Sequence, residues 1–167
     1  MKRVFITGSA GFIGFHFSKS LLADGYEVLG IDNMNDYYDP SLKQDRLLKL
    51  QSYQNFSFVK VDIAKRKELE SPLQSFEPGK VVHLAAQAGV RYSIENPYAY
   101  LDANLIGFLN ILEFCRHNKI NGLIYASSSS VYGSNEKIPF NTNDNTDHPI
   151  ALYGATKKAN ELMAHSY

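Results

Sequence analysis

Tyr153 and Lys157 stand four residues apart in the run Tyr153-Gly154-Ala155-Thr156-Lys157. On a helix that spacing puts both side chains on one face, about one turn apart. A free tyrosine titrates near pH 10, so service as a base at neutral pH takes roughly 4 kcal/mol of help. A nearby ammonium supplies help of that kind, and lysine is the right type at the right distance. Alone, the Tyr-x-x-x-Lys pattern also fits an ordinary solvated helix face.

A second constellation lies at the other end of the chain. Thr7-Gly8-Ser9-Ala10-Gly11-Phe12-Ile13-Gly14 spaces its glycines as G-x-x-G-x-x-G. One glycine permits a tight turn, another a close backbone approach to a pyrophosphate, and a third close packing of helix on sheet. The anion then rests on the free N–H groups of a helix N-terminus. Glycines also punctuate turns that bind nothing. Here they follow a strand pattern, open a helix pattern and precede Asp32 at the end of the next strand, which is the context of a dinucleotide site. Asp32 can accept hydrogen bonds from the adenosine ribose and would repel a 2′-phosphate, so the expected cofactor is NAD rather than NADP.

The third feature is the hydroxyl run Ser127-Ser128-Ser129-Ser130 before Val131-Tyr132-Gly133. It follows a strand, and ligands of open α/β sheets lie beyond the carboxyl ends of strands. For Ser127 and Ser130, satisfying loop backbone groups is an equal reading. No G-x-S-x-G elbow is present, so a hydrolase has little support.

The elements that must hold these residues alternate. Strands are expected at 2–7, 26–32, 56–61, 81–85 and 122–126, with helices at 12–23, 41–50, 65–76, 97–118 and from about 150 onward. Ile13, Phe17 and Leu21 repeat at i, i+4, i+8 and predict the buried face of the first helix. Leu101, Leu105, Phe108, Leu112 and Cys115 predict that of the fourth, which Asn96-Pro97 opens. Alternating strands and helices imply a parallel, doubly wound α/β sheet, ordered 3-2-1-4-5. The 167 residues suffice for one such domain, taken as 1–167.

Lys plus Arg and Asp plus Glu balance at 17 each, which calls for neither nucleic acid nor an acidic membrane as partner. No stretch approaches the roughly 20 apolar residues of a membrane span, and no secretory cleavage signal follows the N-terminus, so the protein reads as cytoplasmic. The single cysteine, Cys115, excludes an internal disulfide and sits on an apolar helix face. His83 reads as a satisfied core histidine; the other histidines lack ligand spacing, so no metal is expected.

Taken together, these residues resemble the extended short-chain dehydrogenase/reductase family, and within it the nucleotide-sugar epimerases. The resemblance runs through the chain in order: TGSAGFIG at 7–14, IDN at 31–33, VDI at 61–63, HLAAQAGVR at 83–91, SSSSVYG at 127–133 and YGATK at 153–157. Asp32-Asn33 followed by Asn35-Asp36-Tyr37-Tyr38-Asp39-Pro40 is most similar to the UDP-glucuronate 4-epimerase branch.

The resemblance implies a Rossmann-like cofactor domain, a UDP-sugar substrate and a catalytic trio. Tyr153 would take the proton of the sugar 4-hydroxyl while hydride passes to NAD. The 4-keto sugar would turn over in the site, and hydride would return to its other face. Lys157 would hold the nicotinamide ribose and tune Tyr153. Ser128 would hydrogen-bond the sugar hydroxyl, with Ser129 beside it. Gly8, Gly11, Phe12, Ile13, Gly14, Asp32, Asn33, Asp62, Ile63, Leu84, Ala85, Ala86 and Asn104 would serve the cofactor. Arg91 would face a sugar carboxylate or phosphate, with a surface salt bridge as the equal alternative.

Related 4,6-dehydratases carry Thr-Asp-Glu before the Val-Tyr-Gly, where this chain has Ser128, Ser129 and Ser130; epimerisation or plain oxidation is thereby favoured over water elimination. Family members usually continue into a sixth strand and a smaller substrate domain, and they pair through the helices at 97–118 and 150–167. The expectations are weak or no turnover by this chain alone, no substrate domain within it, and a homodimer or poor solubility. A non-catalytic NAD-binding module and a sugar dehydrogenase that releases NADH remain as alternatives.

Overall fold

The computed structural model describes residues 2–167. Five strands, β1 (Arg3–Thr7), β2 (Glu27–Asp32), β3 (Phe56–Lys60), β4 (Lys80–His83) and β5 (Leu123–Tyr125), form one parallel sheet. Their order is β3-β2-β1-β4-β5, as the alternation of elements predicts. β1 is central because both its faces are apolar. Phe5 packs on one side with Leu29, Ile31, Val81, Ile111 and Phe114. Val4 and Ile6 pack on the other with Phe15, Leu22, Val28, Leu50 and Val82. A strand apolar on both faces must be covered twice, and helices do so.

The side of β1 bearing Val4 and Ile6 is covered by α1 (Phe12–Ala23) and α2 (Pro40–Gln51). The opposite side is covered by α3 (Arg66–Phe76) and α6 (Gly107–His117). Between β4 and α6 come two single turns, α4 (Tyr92–Glu95) and α5 (Pro97–Tyr100), then a π-helical stretch over Leu101–Ile106. After β5 a 3₁₀ turn, Ser129–Tyr132, leads into a loop and then α7 (Leu152–Ser166). Among the described residues no helix is long and apolar enough to cross a membrane.

Two expectations about helices are corrected. The first concerns α1, whose buried face is Gly14, Phe15, Ser18 and Leu22. Ile13 is 63% exposed and Phe17 38%. A side chain at Gly14 would run into the Gly8 carbonyl, so α1 approaches the turn closely at that glycine and buries Phe15 and Leu22, not Ile13 and Phe17, in the core. The second concerns the single helix expected at 97–118, which is interrupted by the π turn. There Leu101 is 37% exposed while Asn104 is buried. The extra residue of a π turn rotates the helix face, and it turns an asparagine inward.

Cys115 packs half-buried against the core, and burial pushes its thiol up to about 11. It therefore behaves as a hydrophobe, as its helix position suggests.

A cleft at the carboxyl ends of the strands

The chain reverses its winding direction at β1 and β4, and a crevice opens there at the carboxyl ends of the strands. The cleft holds about 360 Å³ and is lined by Gly8 and Gly11 of the glycine turn. Asp32 and Asn33 line it after β2, Asp62 and Ile63 after β3, and Leu84, Ala85 and Ala86 after β4. Residues far apart in the chain meet because parallel strands all end on one side.

The glycine turn is shaped for close approach. Gly8 holds a left-handed φ of +71°, and a Cβ there would sit 2.8 Å from the Ala85 nitrogen. Gly11 begins α1 with no side-chain cap, and no acidic residue occupies the first turn. The first N–H groups of α1 are thus left to an outside acceptor, and the helix dipole favours an anionic one. Phe12 is 67% exposed and Ile13 63%, and neither is among the residues that line the cleft; Gly14 is buried under the turn.

At the end of β2, Asp32 is buried and shares Oδ1 between the Met34 amide at 2.9 Å and the Lys43 ammonium at 3.2 Å. Asp62 accepts from the Ala64 amide at 2.9 Å and from Asn33 at 3.3 Å. These bonds set the direction of both carboxylates before any ligand arrives. A glycine cradle, a bare helix end and a carboxylate with a free oxygen are the features a dinucleotide requires, so the residues present fit that group.

Lys157 and Tyr153 lie beyond β5, on α7. Lys157 is 4% exposed, and its ammonium donates to the Ala126 carbonyl at 2.9 Å. Burial lowers its pKa to about 8. A lysine on a solvated helix face would show neither property. Tyr153 is half-buried, its ring edge against Tyr100 with centroids 6.0 Å apart. Tyr100 is fully buried, with its hydroxyl held by the Ala88 carbonyl at 2.8 Å.

Ser128 opens the 3₁₀ turn. Its hydroxyl oxygen accepts from the Ser130 amide at 3.2 Å, which leaves its proton to donate. Ser127 is exposed and donates to Glu161 at 2.5 Å. Ser129 is exposed as well.

Asn104 stands apart from the cleft lining. It is 1% exposed, accepts from the Gln87 amide at 2.8 Å and donates to the Gln87 carbonyl at 3.1 Å and the Thr156 hydroxyl at 3.1 Å. Thr156 in turn donates to the Tyr153 carbonyl at 2.8 Å. Asn104 therefore ties the loop after β4 to the helix of Tyr153, and its side-chain hydrogens are spent inside the protein. Arg91 is exposed and makes no ion pair among the described residues.

The sequence reading missed Lys43, Asn35, Tyr37 and Tyr38, all of which line the cleft. A charged helix at 41–50 gives no sign that one of its lysines is buried. Among the described residues, no three His, Cys, Asp or Glu side chains gather as a metal would need.

Comparison with known proteins agrees with this geometry. A family model described as GDP-mannose 4,6 dehydratase matches residues 5–167. Protein CapI of Staphylococcus aureus is 56% identical over 165 residues, 99% of this chain and 49% of that protein. A probable UDP-glucuronate 4-epimerase of Rhizobium meliloti is 52% identical, over 99% of this chain and 48% of its own length. The structure of UDP-glucuronic acid 4-epimerase from Bacillus cereus, in complex with UDP-glucuronic acid and NAD, superposes with a TM-score of 0.90 at 34% identity. That match covers 99% of this chain and 52% of the other. The chain spans about half the length of the curated relatives it matches.

Proposed function

The chain belongs to the family described as GDP-mannose 4,6 dehydratase, and from that premise we propose that it is the NAD-binding, proton-transferring part of a nucleotide-sugar 4-epimerase of the UDP-glucuronate/UDP-galacturonate type. The observation that carries this reading is the buried Lys157 on the helix of Tyr153, beyond the same sheet end that carries the glycine cradle and Asp32.

The family description names a dehydratase, but water elimination needs an acid pair before Val131. This chain has Ser128, Ser129 and Ser130 there. Hydroxyls can hold a sugar oxygen and cannot serve as a carboxylic acid and its base. The relatives named as UDP-glucuronate 4-epimerases support the same choice.

Gly8 and Gly11 would hold the pyrophosphate on the start of α1, Asp32 the adenosine ribose, and Asp62 and Ile63 the adenine. Leu84, Ala85 and Ala86 would form the wall beside the dinucleotide. NAD, when bound, supplies a reversible hydride acceptor for C4 of the sugar. Tyr153 takes the proton of the 4-hydroxyl, and the cation of Lys157 favours its phenolate. At neutral pH a lysine with a pKa of about 8 remains mostly charged, so that help is present. Ser128 donates its free proton to the sugar oxygen. Asn104 acts through Thr156 to fix the backbone at Tyr153. Arg91, exposed and without an ion pair, is available to the sugar carboxylate or to phosphate, with Ser129 a further contact.

Homodimerisation completes the proposal. Tyr98, Leu101, Ile106, Leu109 and Leu162 are all between 37% and 74% exposed on the helices at 97–117 and on α7. Apolar side chains repeated along neighbouring helices suit a self-complementary face.

Calorimetric titration with NAD and NADP, repeated with UDP-glucuronate, tests the reading. Tighter binding of NAD, with further heat from the sugar, is expected. No binding of either dinucleotide overturns it. Free NADH accumulating at 340 nm would instead identify a dehydrogenase.

A further inference from the structure

At the β2 end of the cleft, a carboxylate and an ammonium share one small space. Lys43, in the first turn of α2, has a side chain only 6% exposed, and that of Asp32 is 7% exposed. The Lys43 nitrogen donates to Asp32 Oδ1 at 3.2 Å and to Asn35 Oδ1 at 2.7 Å. It also sits 5.2 Å from the centre of the Tyr38 ring. An ammonium has three protons, so one remains uncommitted. Asp32 places both of its bonds on Oδ1, which leaves Oδ2 without a partner. Ser18 Oγ is the one sealed, unpaired side-chain polar atom among the described residues, so Asp32 Oδ2 keeps an opening. Both residues line the cleft. A free carboxylate oxygen and a free ammonium proton therefore stand side by side where a ribose is expected.

We propose that Asp32 and Lys43 select the nucleotide as a pair, and that Lys43 is a latent receptor for a 2′-phosphate held in check by Asp32. This rests on the NAD-binding reading above. Lys43 takes Oδ1 and so aims Oδ2 at the ribose diol, which serves NAD. Because Lys43 and Asp32 carry opposite unit charges in one space, the exclusion of NADP depends on Asp32 remaining in place. Removal of the carboxylate uncovers a buried cation, and a desolvated ammonium binds a phosphate dianion well. Asp32 loss should therefore reverse the preference, not merely relax it.

The test compares wild type with Asp32→Ser, Lys43→Met and Asp32→Ser/Lys43→Met by calorimetry, using NAD, NADP and the probe pair 5′-AMP and 2′,5′-ADP. Wild type is expected to favour NAD at least tenfold. Asp32→Ser is expected to favour NADP, and 2′,5′-ADP over 5′-AMP, by a margin that shrinks in 0.5 M salt. The second substitution should abolish that margin. Lys43→Met alone should weaken NAD at least fivefold without improving NADP, and Lys43→Arg, which keeps the charge, should retain the wild-type preference if Lys43→Met fails to fold. Equal NADP affinity in Asp32→Ser and the double variant overturns the selector pair while leaving the NAD site standing. Failure of wild type to bind any of the four ligands overturns the NAD reading and the pair together.

Discussion

The Thr7 hydroxyl and His83 Nδ1 lie 2.8 Å apart in the buried centre of the sheet, joining the carboxyl ends of β1 and β4. The same hydroxyl accepts from the amides of Leu84 at 3.1 Å and Ala85 at 3.0 Å. An oxygen with two lone pairs so occupied has only its proton left for His83. His83 is therefore the neutral tautomer with its proton on Nε2. One threonine thus closes the crossing point beneath the cleft.

Thr7→Val should consequently cost more than a surface change. The Ala85 amide and His83 Nδ1 would each lose a partner, while the Leu84 amide keeps its bond to the Thr7 carbonyl at 3.3 Å. Leaving two buried polar groups unsatisfied costs about 2–4 kcal/mol. Urea unfolding should show that loss with an unchanged slope. A loss under about 1 kcal/mol would mean that water replaces the hydroxyl.

His83 also makes the domain acid-sensitive. Burial, aided by the nearby Lys157 cation, lowers its pKa from 6.5 to about 3. The unfolded chain then binds a proton below pH 6.5 that the native state refuses, so stability falls as pH drops from 6.5 toward 3. The full penalty approaches about 5 kcal/mol at the bottom of that window. Glu113 acts lower: Arg116 and Tyr167 hold its carboxyl down at about 2, so its share of stability is lost below pH 4.5. Between pH 5 and 6.5, His83→Gln should flatten the dependence of unfolding free energy on pH. A slope equal to wild type there would rule out His83 as its source.

Lys157 predicts a trade of stability against function. Its pKa of about 8 lies below the unfolded value of 10.5. The unfolded chain binds more protons between pH 8 and 10.5, so this group makes stability rise with pH across that window. Below pH 8 the buried ammonium costs roughly 3 kcal/mol. Lys157→Met removes that cost but leaves the Ala126 carbonyl without its donor, a loss of about 1–2 kcal/mol. The variant should be about 1–2 kcal/mol more stable at pH 7, with a flatter alkaline slope and weaker NAD binding. Thermal melts at pH 7 and 9.5 decide this; a destabilised variant with an unchanged alkaline slope would contradict it.

How much of this was legible follows from which contacts are local. The sheet order could be read because apolar runs, glycines and caps are local signals. Tyr153 and Lys157 could be paired because four residues on a helix make one turn. The buried face of α1 could not. Gly14 is buried for its small size against the Gly8 carbonyl, Ser18 is buried on the same face, and an apolar pattern is blind to size. Lys43 was illegible for another reason: its burial depends on Asp32, eleven residues away on another element. The inward turn of Asn104 needed a π turn, which leaves no mark in composition.

Gly154 shows the same lesson at the site itself. It follows Tyr153, and a Cβ there would lie 2.6 Å from the Ser130 carbonyl and 3.3 Å from Pro149. Alanine in a helix interior normally gains up to about 1 kcal/mol over glycine. Here that gain must be set against a backbone oxygen that cannot swing aside, and forced overpacking costs about 1–3 kcal/mol. The clash should win, because relief requires α7 and the serine turn to separate. Gly154→Ala should therefore lower stability by about 1–2 kcal/mol. It should also part Ser128 from Tyr153, leaving NAD affinity within about threefold while the heat added by UDP-glucuronate disappears. If the sugar binds as in wild type and stability rises, the two elements are not held together at this contact.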